Sequence, residues 1–256
     1  MAFETIISDI SARGVATVTF NRPDRGNALS SMMIDELVLH LRELASDAKV
    51  RVLILRANGK HFCGGADVTP KKDGESAKFS LSDLFQDLDQ FPKPTISVVN
   101  GGAIGAGAAI TVCCDVTFAF PDAFFSVPEV RLGIVPGGVV PVLLRTLGSR
   151  NLRRYGLSGE RVMGPEAVRV GFAHEVHAAE NMDVAIETMA DSMLLGAPNA
   201  QRATKEQISS FDHESVREMR SQGNSRSHNH GIRTPEASEG VAAFKEKRKP
   251  NWYAPR

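Results

Sequence analysis

Short, largely apolar runs recur through the first half of the chain, at residues 50–55 and 95–99, and each is followed by a glycine-rich segment. A run of strand length with no polar alternation reads as a strand buried on both faces. Such a strand needs a layer on each side, and that restricts the chain to a layered α/β architecture. Val15-Ala16-Thr17-Val18-Thr19-Phe20 is a third strand candidate, rich in β-branched residues, and residues 115–120 and 123–127 are two more around a turn at Pro121-Asp122.

Between the strands the period changes to that of a helix. Ser30 is placed to cap a helix in which Met33, Ile34, Leu37, Val38, Leu41 and Leu44 recur at helical spacing. The second half reads mainly as helices. One starts near Pro165 and carries Ala167, Val168 and Phe172; a second carries Val184, Ile186, Met189, Met193 and Leu194, with a break at Gly196-Ala197-Pro198. Residues 222–238 are polar and read as a loop, and residues 239–249 as a helix with a basic end. Residues 1–195 are expected to form the core and 196–256 a C-terminal helical region.

At 256 residues and 27.7 kDa the chain is long enough to bury a full core without disulfide or metal staples. Thirty basic residues balance thirty acidic ones, which argues against nucleic acid or an anionic membrane as partner. The longest apolar run, residues 103–114, is too short to span a bilayer. The N-terminus has neither the basic nor the apolar region of a signal peptide, so a cytoplasmic protein is expected. Its three cysteines, Cys63, Cys113 and Cys114, form no CxxC pair and read as reduced core thiols. His228 and His230 read as solvated rather than as metal ligands.

Three segments have the composition of a chemical site. His61-Phe62-Cys63-Gly64-Gly65-Ala66-Asp67 is either a plain tight turn or a stretch whose N–H groups converge on a ligand. Asn100-Gly101-Gly102-Ala103-Ile104-Gly105-Ala106-Gly107 opens an apolar helix, whose first N–H groups attract negative charge. Its glycines lack the G-x-G-x-x-G spacing of a dinucleotide site, so no nicotinamide is expected. In Phe125-Ser126-Val127-Pro128-Glu129-Val130-Arg131, Glu129 is either a general acid/base with a raised pKa in apolar surroundings or a surface partner of Arg131.

In this order and at these separations the segments resemble the crotonase superfamily, the enoyl-CoA hydratases and isomerases. The resemblance runs from Phe20-Asn21-Arg22-Pro23 to Glu239-Gly240-Val241-Ala242-Ala243-Phe244-Lys245-Glu246-Lys247-Arg248-Lys249-Pro250. It implies a spiral of ββα units with a C-terminal helical region for trimerisation, and trimers that pair into hexamers. It implies an acyl-CoA thioester as substrate, with coenzyme A entering as part of that substrate and no other cofactor or metal. Carried over by position, the backbone N–H groups of Gly64 and Ala106 form an oxyanion hole and Glu129 is the acid/base. Coenzyme A is expected along Arg25, Asn27, Ala28, Ala66 and Asp67, with Phe244 and Lys247 approaching it, often across a subunit boundary.

The chain departs from the family at Ala109, where hydratases carry a first glutamate, and at Gly138-Val139-Val140-Pro141, where many members read Gly-Gly-Thr-Gln. Cys113-Cys114-Asp115 and the stretch Pro128-Glu129-Val130-Arg131-Leu132-Gly133 are more similar to bacterial hydratases of branched glutaconyl-CoA substrates. The expected reaction is hydration of an enoyl-CoA, of a branched or carboxylated kind, with Glu129 alone as acid/base. The alternatives are a double-bond isomerase and a non-catalytic acyl-CoA-binding homologue. Residues 71–91 are expected to shape the acyl pocket, with Glu75, Asp83 or Asp87 as candidates to replace the absent acid.

Overall fold

The computed structural model describes residues 3–69, 77–210 and 234–251. Six strands make the main sheet: β1 (Ile6–Ile10), β2 (Val15–Phe20), β3 (Val52–Ala57), β4 (Thr95–Val99), β6 (Val116–Ala119) and β9 (Glu175–Val176), in that spatial order. The β1–β2 pair is antiparallel and every other pair in this sheet is parallel. A second sheet holds β5 (Gly102–Ile104), β7 (Phe124–Ser126) and β8 (Val162–Met163). The chain therefore passes from sheet to sheet: β4 to β5, then helix α3 (Ala106–Cys113), then β6 to β7. Helix α1 (Ser31–Ser46) links β2 to β3, and α2 (Leu81–Asp89) links β3 to β4.

The pattern of burial explains these elements. In β3, Leu53 and Leu55 join the main core while Val52 and Ile54 join a second cluster with Met182 and Ile186, so both faces are buried as expected. Helix α1 starts where the Ser30 side chain accepts a hydrogen bond from Met33 N. It buries Met33, Ile34, Leu37, Val38, Leu41 and Leu44, at about 1.5–3 kcal/mol for each large apolar side chain. Strand β6 is shorter than residues 115–120 because the Asp115 carboxylate accepts hydrogen bonds from Thr95 N and Oγ1 and stands outside the ladder. The three cysteines are buried and form no disulfide among the described residues. Burial pushes the thiols of Cys63 and Cys114 up to about 12, leaving them protonated at neutral pH.

Several elements differ from the expectations. Strand β1 is an edge strand whose Ile7 and Ile10 face outward, so it lacks a clear apolar period. Helix α4 (Val140–Ser158) has a non-helical Gly148 inside it and an arginine-rich second half, which hides its periodicity. Helix α5 (Gly164–Val170) ends before Phe172, whose ring stacks on Phe125, and its Val168 faces outward. Helix α6 (Ala179–Leu195) buries Met182, Ile186 and Ala190, while Val184 is exposed. Helix α7 spans residues 198–210. Helix α8 (Pro235–Lys245) begins earlier than residue 239, because Thr234 caps it and Pro235 occupies its first turn. Residues 211–233, including most of the expected loop, lie outside the described residues.

Candidate active site

The glycine-rich turn is fixed from both sides. Cys63 N donates to Gly102 O and Ile104 N to Cys63 O, which ties the turn to β5. Leu29 N donates to Gly65 O at 2.8 Å and Asp67 N to Leu29 O at 3.1 Å, which ties it to the start of α1. Gly65 has a φ of 93°, and a Cβ there would lie 2.9 Å from Ile104 O and 3.9 Å from Ala106 N. Only glycine permits that conformation together with that approach.

These bonds decide which amides face a ligand. Gly64 N donates to Gly26 O at 2.9 Å, so its N–H is not available, and the expected donor at this position is corrected. Ala66 N has no acceptor among the described residues, and Ala66 is exposed on the rim of the cavity. Ala106 is the first residue of α3, where backbone N–H groups lack partners within the helix. Two amides, at 66 and 106, thus flank the crossing of the turn and the helix start.

Glu129 opens a short 3-10 turn, Glu129–Leu132, after β7. Its Oε2 is buried and has no hydrogen-bond partner. Arg131 is not its partner: both the Nε and Nη2 of Arg131 donate to Ser158 O, at 2.9 and 2.8 Å. Burial pushes the Glu129 carboxyl up to about 7, only partly offset by a hydrogen bond with its own backbone. Helix α8 packs on the same turn, where Gly240 comes so close to Leu132 that a Cβ would lie 2.6 Å from Leu132 O. The cavity in front of Glu129 has a volume of about 290 Å³ and includes Gly64, Gly65, Ala66, Gly105 and Ala106 in its wall.

A second cleft, of about 850 Å³, shares Ala66, Asp67 and Leu81 with that cavity. Arg25 is exposed on its wall, 3.9 Å from Asp24. Arg22, which the expectations left out, also lines it; its guanidinium pairs with Asp67 at 3.2 Å and donates to Ala28 O. Burial opposes ionisation of Asp67, but hydrogen bonds from Thr69 and Arg22 outweigh it and hold the carboxyl below its usual range. Asn27 does not face the cleft with its side chain. It is fully buried, its Nδ2 donates to the carbonyls of Asn58 and His61, and its Oδ1 accepts from Arg22 N. Asn27 lies behind the cleft, in the wall of neither cavity, and its side chain holds the loop together. Phe244 and Lys247 line neither cavity; Phe244 is 68% exposed, and Lys247 follows α8 with a φ of 54°.

Among the described residues the other acid on that cavity's wall is Asp67, and its carboxylate is paired with Arg22. Ala109 is fully buried in α3 and absent from the cavity wall. The Asp83 carboxylate is held by Ser80 in the capping box of α2. That of Asp87 is paired with Arg42 at 2.6 Å. Glu75, Lys71 and Lys72 lie outside the described residues, as do His228 and His230. No group of three metal-ligating side chains occurs among the described residues, and no described helix is long and apolar enough to cross a membrane.

A sequence model described as enoyl-CoA hydratase/isomerase matches residues 11–255. The chain belongs to this family. As a family member it resembles 2,3-dehydroadipyl-CoA hydratase of Escherichia coli strain K12, 31% identical over 93% of this chain and 94% of that one. It is 35% identical to short-chain-enoyl-CoA hydratase of Clostridium acetobutylicum, over 76% of this chain and 77% of the relative. Its fold is the crotonase fold of these enzymes. A crystal structure of an enoyl-CoA hydratase from Mycobacterium avium superposes with a TM-score of 0.86 at 28% identity, over 97% of this chain and 99% of that one.

Proposed function

We propose that this family member moves a proton on an acyl-CoA thioester, with Glu129 as its single acid/base and the N–H groups of Ala66 and Ala106 on the thioester oxygen. The acyl group enters the cavity in front of Glu129, and the pantetheine leaves past Ala66 into the cleft bearing Arg25. The supporting observation is the buried, unpartnered Oε2 of Glu129 beside two free amides. A carboxyl with a pKa of about 7 is poised to take and return a proton at neutral pH.

Of the reactions open to one carboxyl, a double-bond shift needs least. Glu129 removes a proton from the carbon next to the thioester of a 3-enoyl-CoA, and the electron pair passes to the thioester oxygen. The dienolate rests on the two amides, and each such donor typically contributes about a hundred- to a thousandfold in rate. Glu129 then returns the proton two carbons further on, giving the 2-enoyl-CoA. Hydration is the second reading, supported by the names of the relatives. It requires the same carboxyl to take a proton from water and deliver one to carbon. In either reaction trimers or hexamers are expected, with the exposed Phe244 and the neighbouring Lys247 reaching the coenzyme of an adjacent copy.

The test is turnover of 3-hexenoyl-CoA and of 2-hexenoyl-CoA in heavy water, by wild type and Glu129→Gln. An isomerase interconverts the two without a hydroxyl product; a hydratase gives the 3-hydroxyacyl-CoA. Wild-type rates in Glu129→Gln would refute both readings, and acyl-CoA binding without any turnover would point to a non-catalytic homologue.

A further inference from the structure

Arg131 is two residues from Glu129, yet its guanidinium is directed at a different element. Its Nε and Nη2 both donate to Ser158 O, the last carbonyl of α4, where a cation complements the helix end. On the other side of Glu129, the buried Ser126 Oγ donates at 3.0 Å to Gly159 O, the next carbonyl along. Between these two contacts the backbones meet. A Cβ on Gly159, whose φ is 61°, would lie 3.1 Å from Pro128 Cα and 2.8 Å from Arg131 Nε. The segment 126–131 is thus held at both ends by consecutive carbonyls of one helix terminus. Resting on the reading above, we infer that Arg131 is a positioning residue: it locks the Glu129 turn onto the end of α4 and so aims the carboxyl at the substrate carbon.

The end of α4 is itself a fixed post. Gly159 N donates to Tyr155 O at 2.8 Å, and Tyr155 is buried. The Tyr155 hydroxyl donates to Glu166 of α5, whose carboxylate also accepts from Arg169 Nε at 2.7 Å. The same segment reaches the oxyanion side, because Ser126 O accepts from Gly105 N at 2.8 Å, one residue before Ala106. With no hydrogen bond at Oε2, the direction of the Glu129 carboxyl depends on the backbone that carries it. A proton passes only within hydrogen-bond reach, and a misplacement of about 1 Å can cost about a hundredfold in rate. Arg131 is exposed and lines neither cavity, so its loss should appear in turnover and not in binding. An exposed cation at a helix end contributes little to global stability, so the fold persists without it.

The experiment compares wild type, Arg131→Ala, Arg131→Lys and Glu129→Gln on whichever hexenoyl-CoA isomer the wild type turns over. Binding of hexanoyl-CoA is measured by calorimetry on the same preparations. Arg131→Ala is expected to lower kcat about ten- to a hundredfold. Its Kd and its number of binding sites per chain should stay within about twofold of wild type, which assigns the loss to competent sites rather than to unfolded chains. Arg131→Lys keeps the charge but not the fork, and is expected to recover part of the loss. The infrared carbonyl band of bound hexanoyl-CoA reports the two amides and should not move between wild type and Arg131→Ala. Wild-type kcat in Arg131→Ala, binding sites lost in step with kcat, a lysine variant no faster than alanine, or a band shifted toward that of the free thioester each overturns the inference. Slow turnover by Glu129→Gln beside wild-type turnover by Arg131→Ala overturns this inference alone. Wild-type turnover by Glu129→Gln, or none by the wild type, overturns the catalytic reading and this inference with it.

Discussion

Gly105 lies against the carboxyl of Glu129: a Cβ on residue 105 would sit 3.2 Å from Glu129 Cδ and collide with Oε1. Gly105 also has a φ of 54° and comes immediately before the amide of Ala106, so one residue spaces both the acid and an oxyanion donor. Gly105→Ala is therefore expected to reduce kcat by about a hundredfold or more, the range seen when such a donor is displaced. At φ 54° and ψ −112°, outside the left-handed helical region, alanine costs on the order of 1–3 kcal/mol, a loss that a folded domain can absorb. Steady-state kinetics beside circular dichroism check this. A variant with the wild-type kcat would mean that the acid does not work from the position described.

The pKa of Glu129 sets the pH dependence. Burial places it at about 7, and the base form is the one that starts a proton abstraction. The kcat/KM for a 3-enoyl-CoA should rise about tenfold per pH unit below 7 and level off above it. A profile flat from pH 5 to 8 would place the essential group elsewhere.

The same burial has a cost for the fold. In the unfolded chain a glutamate titrates near its ordinary value of 4.5; in the folded protein Glu129 holds its proton up to about 7. The folded state binds the proton more tightly, so this contribution is fully present below pH 4.5 and is lost as pH rises through 7. At about 1.4 kcal/mol per pH unit, the loss is on the order of 3 kcal/mol. Glu129→Gln, which stays neutral, is expected to melt at a higher temperature than wild type at pH 8. The two should converge near pH 4.5. Thermal unfolding at the two pH values checks it, and equal midpoints at pH 8 would contradict the burial of this carboxyl.

Much of the fold was legible in the sequence where burial imposes a period. The helix of Met33 to Leu44 and the doubly buried β3 were readable because packing alone selects those residues. Strand β1 and helix α4 were not, since an exposed edge carries little apolar signal and Gly148 interrupts the register of a helix. At the site, the sequence located the turn, the helix start and Glu129, but not which amide faces the cavity. Neighbouring peptide groups in a turn point in different directions. The choice between Gly64 and Ala66 depends on Gly26 O, some forty residues earlier, accepting from one of them. The direction of the Asn27 side chain was not legible for a similar reason, because a polar residue in a loop can satisfy backbone as well as a ligand. Two of its three hydrogen bonds to main-chain atoms, those to Asn58 O and His61 O, are tertiary facts.

The donor at residue 106 can be removed without breaking the helix that carries it. Ala106 is the first residue of α3, the position at which proline fits a helix best, because the missing N–H has no helical acceptor there anyway. Ala106→Pro thus deletes one oxyanion hydrogen bond while its fixed φ suits the first turn. The expected result is a loss of about a hundred- to a thousandfold in kcat, with the helix retained. Gly64→Ala separates the two candidate amides on the other side. It keeps the N–H bonded to Gly26 O and adds a Cβ 3.1 Å from that oxygen, a strain on the turn rather than on the charge. It should lower thermal stability more than it lowers kcat. If Ala106→Pro turns over at the wild-type rate, the negative charge of the enolate does not develop at this amide.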